Sequence, residues 1–265
     1  MSFVNLYKPP QPKTFTTAPP AEPYDINFAY PLPLETFQTS KVKLTPFLPH
    51  VHADPFWTAT VKALADSKDR RSVDVWRYMP WTLSHVEEML PIVEDFRSSP
   101  EWIMFAVLDK QKLEGGAEEG DCVAGVVGLV GASHVSRIVE IGPVITLPAY
   151  QGQNFAKHAV GLLLRYVLDR ETGQPGVVTP GLGFRRVQWT AHADNGASIR
   201  CAESLGFERE ALVRWSWVLD ETKEGRPVDC DGRGGRMGRN STLLVLCWDD
   251  WENGVRDTVV KILES

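Results

Sequence analysis

The run Gln151-Gly152-Gln153-Asn154-Phe155-Ala156 constrains this chain most, because it opens a helix directly after a strand-like stretch that ends at Pro148. The first N–H groups of a helix have no partner inside it, and the helix dipole adds partial positive charge there. A pyrophosphate can therefore be held at such a point almost without side chains. Gly152 lets phosphate oxygens approach the backbone. An ordinary strand-to-helix turn looks the same locally, and a second unit about 40 residues further along the chain separates the two possibilities. Asn195-Gly196-Ala197-Ser198 starts another helix, with Ile199, Ala202 and Leu205 at helical spacing and Gly206-Phe207 as its exit.

Around these two units the pattern alternates between strand and helix. Lys41 to Phe47 suits a first strand, and Pro55 to Ala65 suits a helix begun by Asp54 with proline in its first turn. The aromatic segment Trp76-Arg77-Tyr78-Met79-Pro80-Trp81 interrupts, and Ser84 caps a second helix running to about Phe96. Trp102 to Leu108 and Cys122 to Val130 read as neighbouring strands joined by a polar loop, Lys112 to Gly120. Ile138 to Thr146 is the next strand. After it, Phe155, Ala159, Leu162, Leu163, Tyr166 and Val167 form the apolar stripe of a helix. Arg186 to Ala191, Phe207 to Leu219 and Thr242 to Trp248 are further strands, and a helix from about Trp248 to Leu263 ends the chain. Mixed meander and βαβ units predict an α/β fold with a mixed sheet. Residues 1–40, with Pro9, Pro10, Pro12, Pro19, Pro20, Pro23, Pro31 and Pro33, predict an extended arm, pinned by Tyr24, Phe28 and Tyr30. Residues 41–265 predict one domain.

Composition removes several classes of function. A hydrophobic share of 43% in 265 residues is ample for a core. No apolar run reaches the roughly 18 residues of a membrane helix, and no basic-then-apolar leader opens the chain, so a cytoplasmic protein without membrane contact is expected. Cys122, Cys201, Cys230 and Cys247 are scattered, without Cys-x-x-Cys pairs or His clusters, so no metal and no disulfide framework is expected. A net charge of −6 disfavours nucleic acid, and the Arg226, Arg233, Arg236 and Arg239 cluster, rich in glycine, reads as a loop.

With Glu140-Ile141-Gly142 on a strand, Gln151 to Ala156 as an Arg/Gln-x-x-Gly-x-Gly/Ala loop, and Asn195, Ser198, Gly206 and Phe207 in order, the chain resembles the GNAT superfamily of acyl-CoA N-acyltransferases. Within it, the chain resembles the RimJ/RimL-like branch. The resemblance runs from roughly Lys43 to Trp251. Asn154 stands where the family usually has a second glycine, and Gln151 where Arg is common. The resemblance implies a GNAT fold: a central, mixed but mostly antiparallel, twisted sheet flanked by α-helices and splayed at the acetyl-CoA site. It also implies a transferase, an acetyl-CoA-dependent N-acetyltransferase, with acetyl-CoA as co-substrate and an amine as acceptor. Cofactor contacts then fall on Val144, Ile145 and Thr146, on Gln151, Gly152, Gln153, Asn154, Phe155 and Ala156, and on Asn195 and Ser198.

Acyl transfer from a thioester needs a neutral amine, an aligned carbonyl, a donor for the developing oxyanion and a proton for the leaving thiolate. Glu140, 11 positions before Gln151, lies where several family members place the general base. Burial would raise its pKa toward neutrality. A salt-bridged structural Glu is the competing reading, and His134 and His192 are rival bases. Asn195 suits a helix cap as well as a cofactor contact. In this branch the Ser is the proposed donor to the departing CoA thiolate, which makes Ser198 the second catalytic candidate. Trp76, Tyr78, Trp81, Trp215 and Trp217 are candidates for the acceptor wall, with core packing as the alternative use of an aromatic ring. A primary amine of a small molecule, attacking directly in a ternary complex, is the expected acceptor. A protein or peptide N-terminus and a non-catalytic acyl-CoA-binding regulator are the alternatives. Monomer and homodimer both remain open.

Overall fold

The computed structural model describes residues 4–6, 8, 15–20, 22–170, 181–228 and 236–265. Pro9, Pro10, Pro12, Cys230 and Arg233 lie outside them. Seven strands form one sheet in the order β1-β2-β3-β4-β5-β7-β6. They are β1 (Val42–Pro46), β2 (Ile103–Asp109), β3 (Val123–Ser133), β4 (Ile138–Thr146), β5 (Arg186–His192), β6 (Glu208–Val218) and β7 (Gly238–Cys247). Every pairing is antiparallel except β4 with β5. That single parallel pair requires a crossover, and the helix after the Gln151 loop supplies it.

The helices are α1 (Asp54–Asp66), α2 (Arg70–Val73), α3 (Val86–Ser98), α4 (Lys110–Glu114), α5 (Phe155–Leu168), α6 (Gly196–Ser204), α7 (Trp248–Asp250) and α8 (Arg256–Leu263). The expected apolar stripe of α5 is buried throughout. Gly161 on α5 makes room for α8, since a Cβ there would meet Leu263 Cδ2 at 2.9 Å and Val259 Cγ1 at 3.1 Å. The loop expected from Lys112 starts instead inside a short helix, α4. It is capped by Asp109, whose carboxylate accepts the Gln111 and Lys112 N–H groups. The last helix is not continuous: between α7 and α8 the chain kinks at Gly254, with φ of 121°.

Residues 22–40 lie against the sheet through fixed bonds. The Tyr30 hydroxyl donates to the Ala132 carbonyl at 2.7 Å and the Tyr166 hydroxyl donates to the Pro31 carbonyl at 2.8 Å. Phe37 is buried edge-on between Phe105 and Tyr166, so the chain enters the core before β1 begins. Thr39 Oγ1 accepts the Lys41 and Val42 N–H groups and must therefore donate to His158 Nδ1 at 3.0 Å, leaving the His158 proton on Nε2. Burial, with the Lys41 charge nearby, holds this histidine below its ordinary pKa. The folded protein thus binds fewer protons here than the unfolded chain, and stability is lost as pH falls below about 6.5 toward the depressed value. Urea midpoints from pH 7.5 to 5 should fall for the native chain, and fall less steeply for His158→Gln.

Candidate active site

β4 and β5 are paired only at Ile138, Val139 and Glu140, opposite Arg186, Val187 and Gln188. Beyond that point the two strands part. The other edge of β4 stays on β3, but two residues, Gly142 and Pro143, lie between the pairs Leu129↔Ile141 and Val127↔Val144 where β3 has only Gly128. This bulge exchanges the faces of the residues after it, so that Val144 and not Ile145 shares the face of Ile141. The result is a gap in the sheet, walled on one side by the backbone of Val144, Ile145 and Thr146.

A cleft of about 700 Å³ runs along this gap. Val144, Ile145, Thr146, Gln151, Gly152, Asn154, Phe155, Ala156, Asn195 and Ser198 all line it, which brings together nearly all of the residues expected to touch the cofactor. Gln153 does not line it: its side-chain amide donates back to the Ala149 carbonyl at 2.7 Å, and its own carbonyl accepts Lys41 Nζ at 3.2 Å. Gln151 also has a structural task, donating to the Thr146 carbonyl at 3.2 Å and so fastening the loop to the end of β4. Gly152 has φ of +74° and open space where a Cβ would stand. Asn154 has φ of 66° and ψ of 6°, so the departure from glycine falls on the residue type that best tolerates the left-handed region. Its side chain makes no cap hydrogen bond, and the first N–H groups of α5 remain available. Asn154→Gly should keep acetyl-CoA affinity. Asn154→Val should cost about 1–2 kcal/mol of loop conformation and weaken binding by roughly tenfold in calorimetric titration.

At the second helix, Asn195 Oδ1 accepts the Ser198 N–H at 3.1 Å, and Gly206, with φ of +90°, turns the chain out of α6. The Ser198 hydroxyl accepts the Trp189 Nε1–H at 3.0 Å, so its own proton is free to be donated elsewhere. Lys157 and Arg200 also line the cleft, and the motif reading missed both. A signal existed. A cation in the first turns of a helix opposes the dipole, and two such cations, on two helices already read as anion sites, call for a shared anion.

On the face of the sheet that carries Glu140, buried polar groups form a cluster. Arg239 on β7 is 6% exposed and donates through Nε to Ser241 Oγ at 3.1 Å and through Nη1 to the Tyr78 carbonyl at 3.0 Å. Burial pushes the Glu140 carboxyl above its usual range, opposed by a hydrogen bond from Thr190 and by the Arg239 charge. His192 is 5% exposed, and its Nδ1 accepts the Asp194 N–H at 3.1 Å. Burial and the charge of Arg239 hold it below the ordinary histidine pKa. The Tyr78 ring lies 5.1 Å from the His192 ring and lines the cleft, linking cluster and cleft. Glu140 itself is outside the cleft lining, and His134 is exposed in the β3–β4 turn.

Of the five aromatic candidates, Tyr78 alone lines the cleft. Trp76 is buried edge-on against Phe56, and Trp81 borders a small apolar space with Met89, Pro143 and Ile145. Trp215 and Trp217 lie half exposed on β6. A bulge there gives Trp215 a φ of 54°, and its ring covers Gly238. No helix among the described residues is long and apolar enough to cross a membrane.

An open, mostly antiparallel sheet that splits beside the start of its crossover helix is the architecture of GNAT-type acyltransferases. The chain belongs to the GNAT acetyltransferase family: the family's model, an Acetyltransferase (GNAT) domain, matches residues 51–208. It is an acyltransferase, moving an acyl group from acetyl-CoA. Among solved structures, a GCN5-related N-acetyltransferase from Brucella melitensis superposes with a TM-score of 0.61 at 23% identity, covering 85% of this chain and 84% of that one. A spermidine N-acetyltransferase from Vibrio cholerae, in complex with CoA and spermine, gives 0.52 at 14% identity, covering 81% and 99%. A Vibrio cholerae protein assigned as a ribosomal-protein-serine acetyltransferase gives 0.52 at 16%, covering 80% and 96%. These likenesses are of fold. No curated protein sequence matches the chain at a significant level.

Proposed function

We propose that this protein is a cytoplasmic N-acetyltransferase of the RimJ/RimL-like branch. It transfers acetyl from acetyl-CoA to the primary amine of a small molecule by direct attack within a ternary complex. The observation that carries this reading is the gap between β4 and β5, which leads from the two helix starts to the Tyr78 and Glu140 side of the sheet. The phosphates sit on the N–H groups opening α5, with Lys157 and Arg200 beside them, and the pantetheine arm lies along Val144 to Thr146. Backbone N–H groups on this free edge stabilise the oxyanion that forms when the amine attacks the thioester carbonyl. Glu140, directly or through water, takes the ammonium proton so that a lone pair is available. As the carbon–sulfur bond breaks, Ser198 supplies a hydrogen bond to the departing thiolate.

Direct attack is favoured over an acyl-enzyme because the described cysteines are poor nucleophiles. Burial pushes the thiols of Cys122, Cys201 and Cys247 above their ordinary pKa. A small acceptor is favoured over a long peptide because the segment before α3 is tied down across this side of the sheet. Lys223 Nζ donates to the Trp76 carbonyl at 2.8 Å, and Arg239 Nη1 donates to the Tyr78 carbonyl at 3.0 Å.

The test is calorimetric titration with acetyl-CoA, followed by thiol release against small amines and peptide N-termini in the same preparation. Binding with turnover of small amines supports the reading. Turnover confined to peptides moves the acceptor class, and binding with no turnover across the panel favours a regulator on the same fold.

A further inference from the structure

Positive charge lines the cleft in two places. Lys157 and Arg200 stand at the helix starts, where phosphates belong, whereas Arg71 and Arg77 come from the segment between α1 and α3, beside Tyr78. These two arginines converge on a single oxygen, Oε2 of Glu224, from Nη2 atoms 2.5 Å and 3.1 Å away. The Arg77 side chain is 21% exposed while that of Glu224 is 50% exposed. The Arg77 Nε–H is buried and has no acceptor among the described residues. Its guanidinium lies 4.7 Å from the centre of the Tyr78 ring, which fixes its plane at the cleft wall.

Around this pair, Asp74 already accepts the Trp76 N–H at 2.9 Å and lies near Lys223. Arg71, Arg77 and Lys223 face Asp74, Asp220 and Glu224, and the corner is left with an excess of positive charge once Glu224 is withdrawn. A guanidinium fork with an unused donor, set in a cleft wall, matches a planar carboxylate. Glu224 shows that one fits there. It does so from an exposed loop, and an exposed ion pair of this kind contributes little and can be exchanged.

We propose, resting on the acetyltransferase function, that the acceptor amine carries a carboxylate, and that Arg77, with Arg71 beside it, binds this carboxylate in exchange for Glu224. The acceptor then spans the site as a zwitterion, its nitrogen toward Glu140 and its acid on the arginine wall. A phosphate of CoA offers the same chemistry, and the experiment separates the two sources.

Thiol release by the full chain at saturating acetyl-CoA is compared for acceptors differing only in carboxylate against carboxamide: ω-amino acids and their amides, and glutamyl and glutaminyl dipeptides. The acids should exceed their amides in kcat/KM by roughly ten- to a hundredfold. Arg77→Gln should bring each pair close to parity, with Arg77→Lys between. Glu224→Gln, which removes the competing carboxylate on an exposed loop, should lower KM for the acids without changing it for the amides. Amides used as well as acids by the native chain would overturn the proposal. So would an Arg77→Gln protein that loses acetyl-CoA affinity yet keeps its acid preference, because the arginine would then serve the phosphates. Failure of every amine to release thiol sinks the transferase reading instead. In that event the same pairs are titrated calorimetrically into the CoA-loaded protein: binding of acids but not amides, lost in Arg77→Gln, upholds the anion site, and any other pattern rejects it.

Discussion

Glu140→Gln is expected to lower kcat/KM for amine acetylation at pH 7 by about 10²–10⁴-fold, the range for removing a positioned general base. Glutamine keeps the size and the hydrogen-bonding capacity toward Thr190, so a loss of this order would report chemistry rather than packing. The pH profile makes the assignment sharper. Burial holds the Glu140 carboxyl above its ordinary range, while Thr190 and the Arg239 charge pull it back. The base works only when deprotonated, so the acid limb of kcat/KM should lie above the usual carboxylate pKa and disappear in the Gln variant. Arg239→Gln removes the opposing charge, and in that protein the limb should move to higher pH. A Gln variant within a few-fold of the native rate, with its acid limb intact, would return Glu140 to a structural role and direct attention to His192. Both groups lie under the field of the same buried arginine.

The two helix starts were legible in the sequence because their signals are local. Gln151 to Ala156 and Asn195 to Phe207 each carry a loop, a helix face and an exit within a short span, and each folds as its residues dictate. The departure at Asn154 was legible as a departure but not as a solution. Only the backbone shows that this position is left-handed, which asparagine accepts. The base candidate was legible as a position on β4, whereas the cluster around it was not. Arg239, Ser241 and Ser216 come from strands far along the chain, and register alone brings them beside residues of β4 and β5. The aromatic residues show the limit most clearly. Tryptophan content marks large buried area wherever it occurs, so Trp76 and Trp81 read no differently from Tyr78, and only the path of the segment after α2 turns one ring to the cleft. Arg71 and Arg77 escaped notice for a related reason. Their meaning depends on Glu224, which a sequence separation of about 150 residues hides from any local pattern.

The largest effect on stability is expected far from the cleft, at Asp169. This carboxylate comes just after the last turn of α5 and is 1% exposed. It accepts the Arg256 Nε–H at 2.8 Å and the Trp251 Nε1–H at 3.1 Å on one oxygen, with Arg165 Nε 3.5 Å from the other. Trp251 is fully buried, and Arg256 opens α8, so one side chain fastens the crossover helix to the C-terminal segment. Asp169→Ala leaves a buried indole N–H without an acceptor and two guanidinium groups without their counter-charge. Breaking a buried pair in this way costs about 3–5 kcal/mol, and partial exposure of Arg256 sets the expectation at about 3. For a domain of this size that corresponds to a fall in Tm of about 6–12 °C. Asp169→Asn keeps an acceptor for Trp251 while removing the charge, and should fall between. Because α8 contributes nothing to the cleft lining, acetyl-CoA affinity measured well below the transition should stay within about twofold of native, on the independence expected of distant sites. A Tm shift under about 2 °C for Asp169→Ala would mean that α8 is held by Gly161, Val259 and Leu263 packing alone, and that the buried carboxylate only offsets its own desolvation.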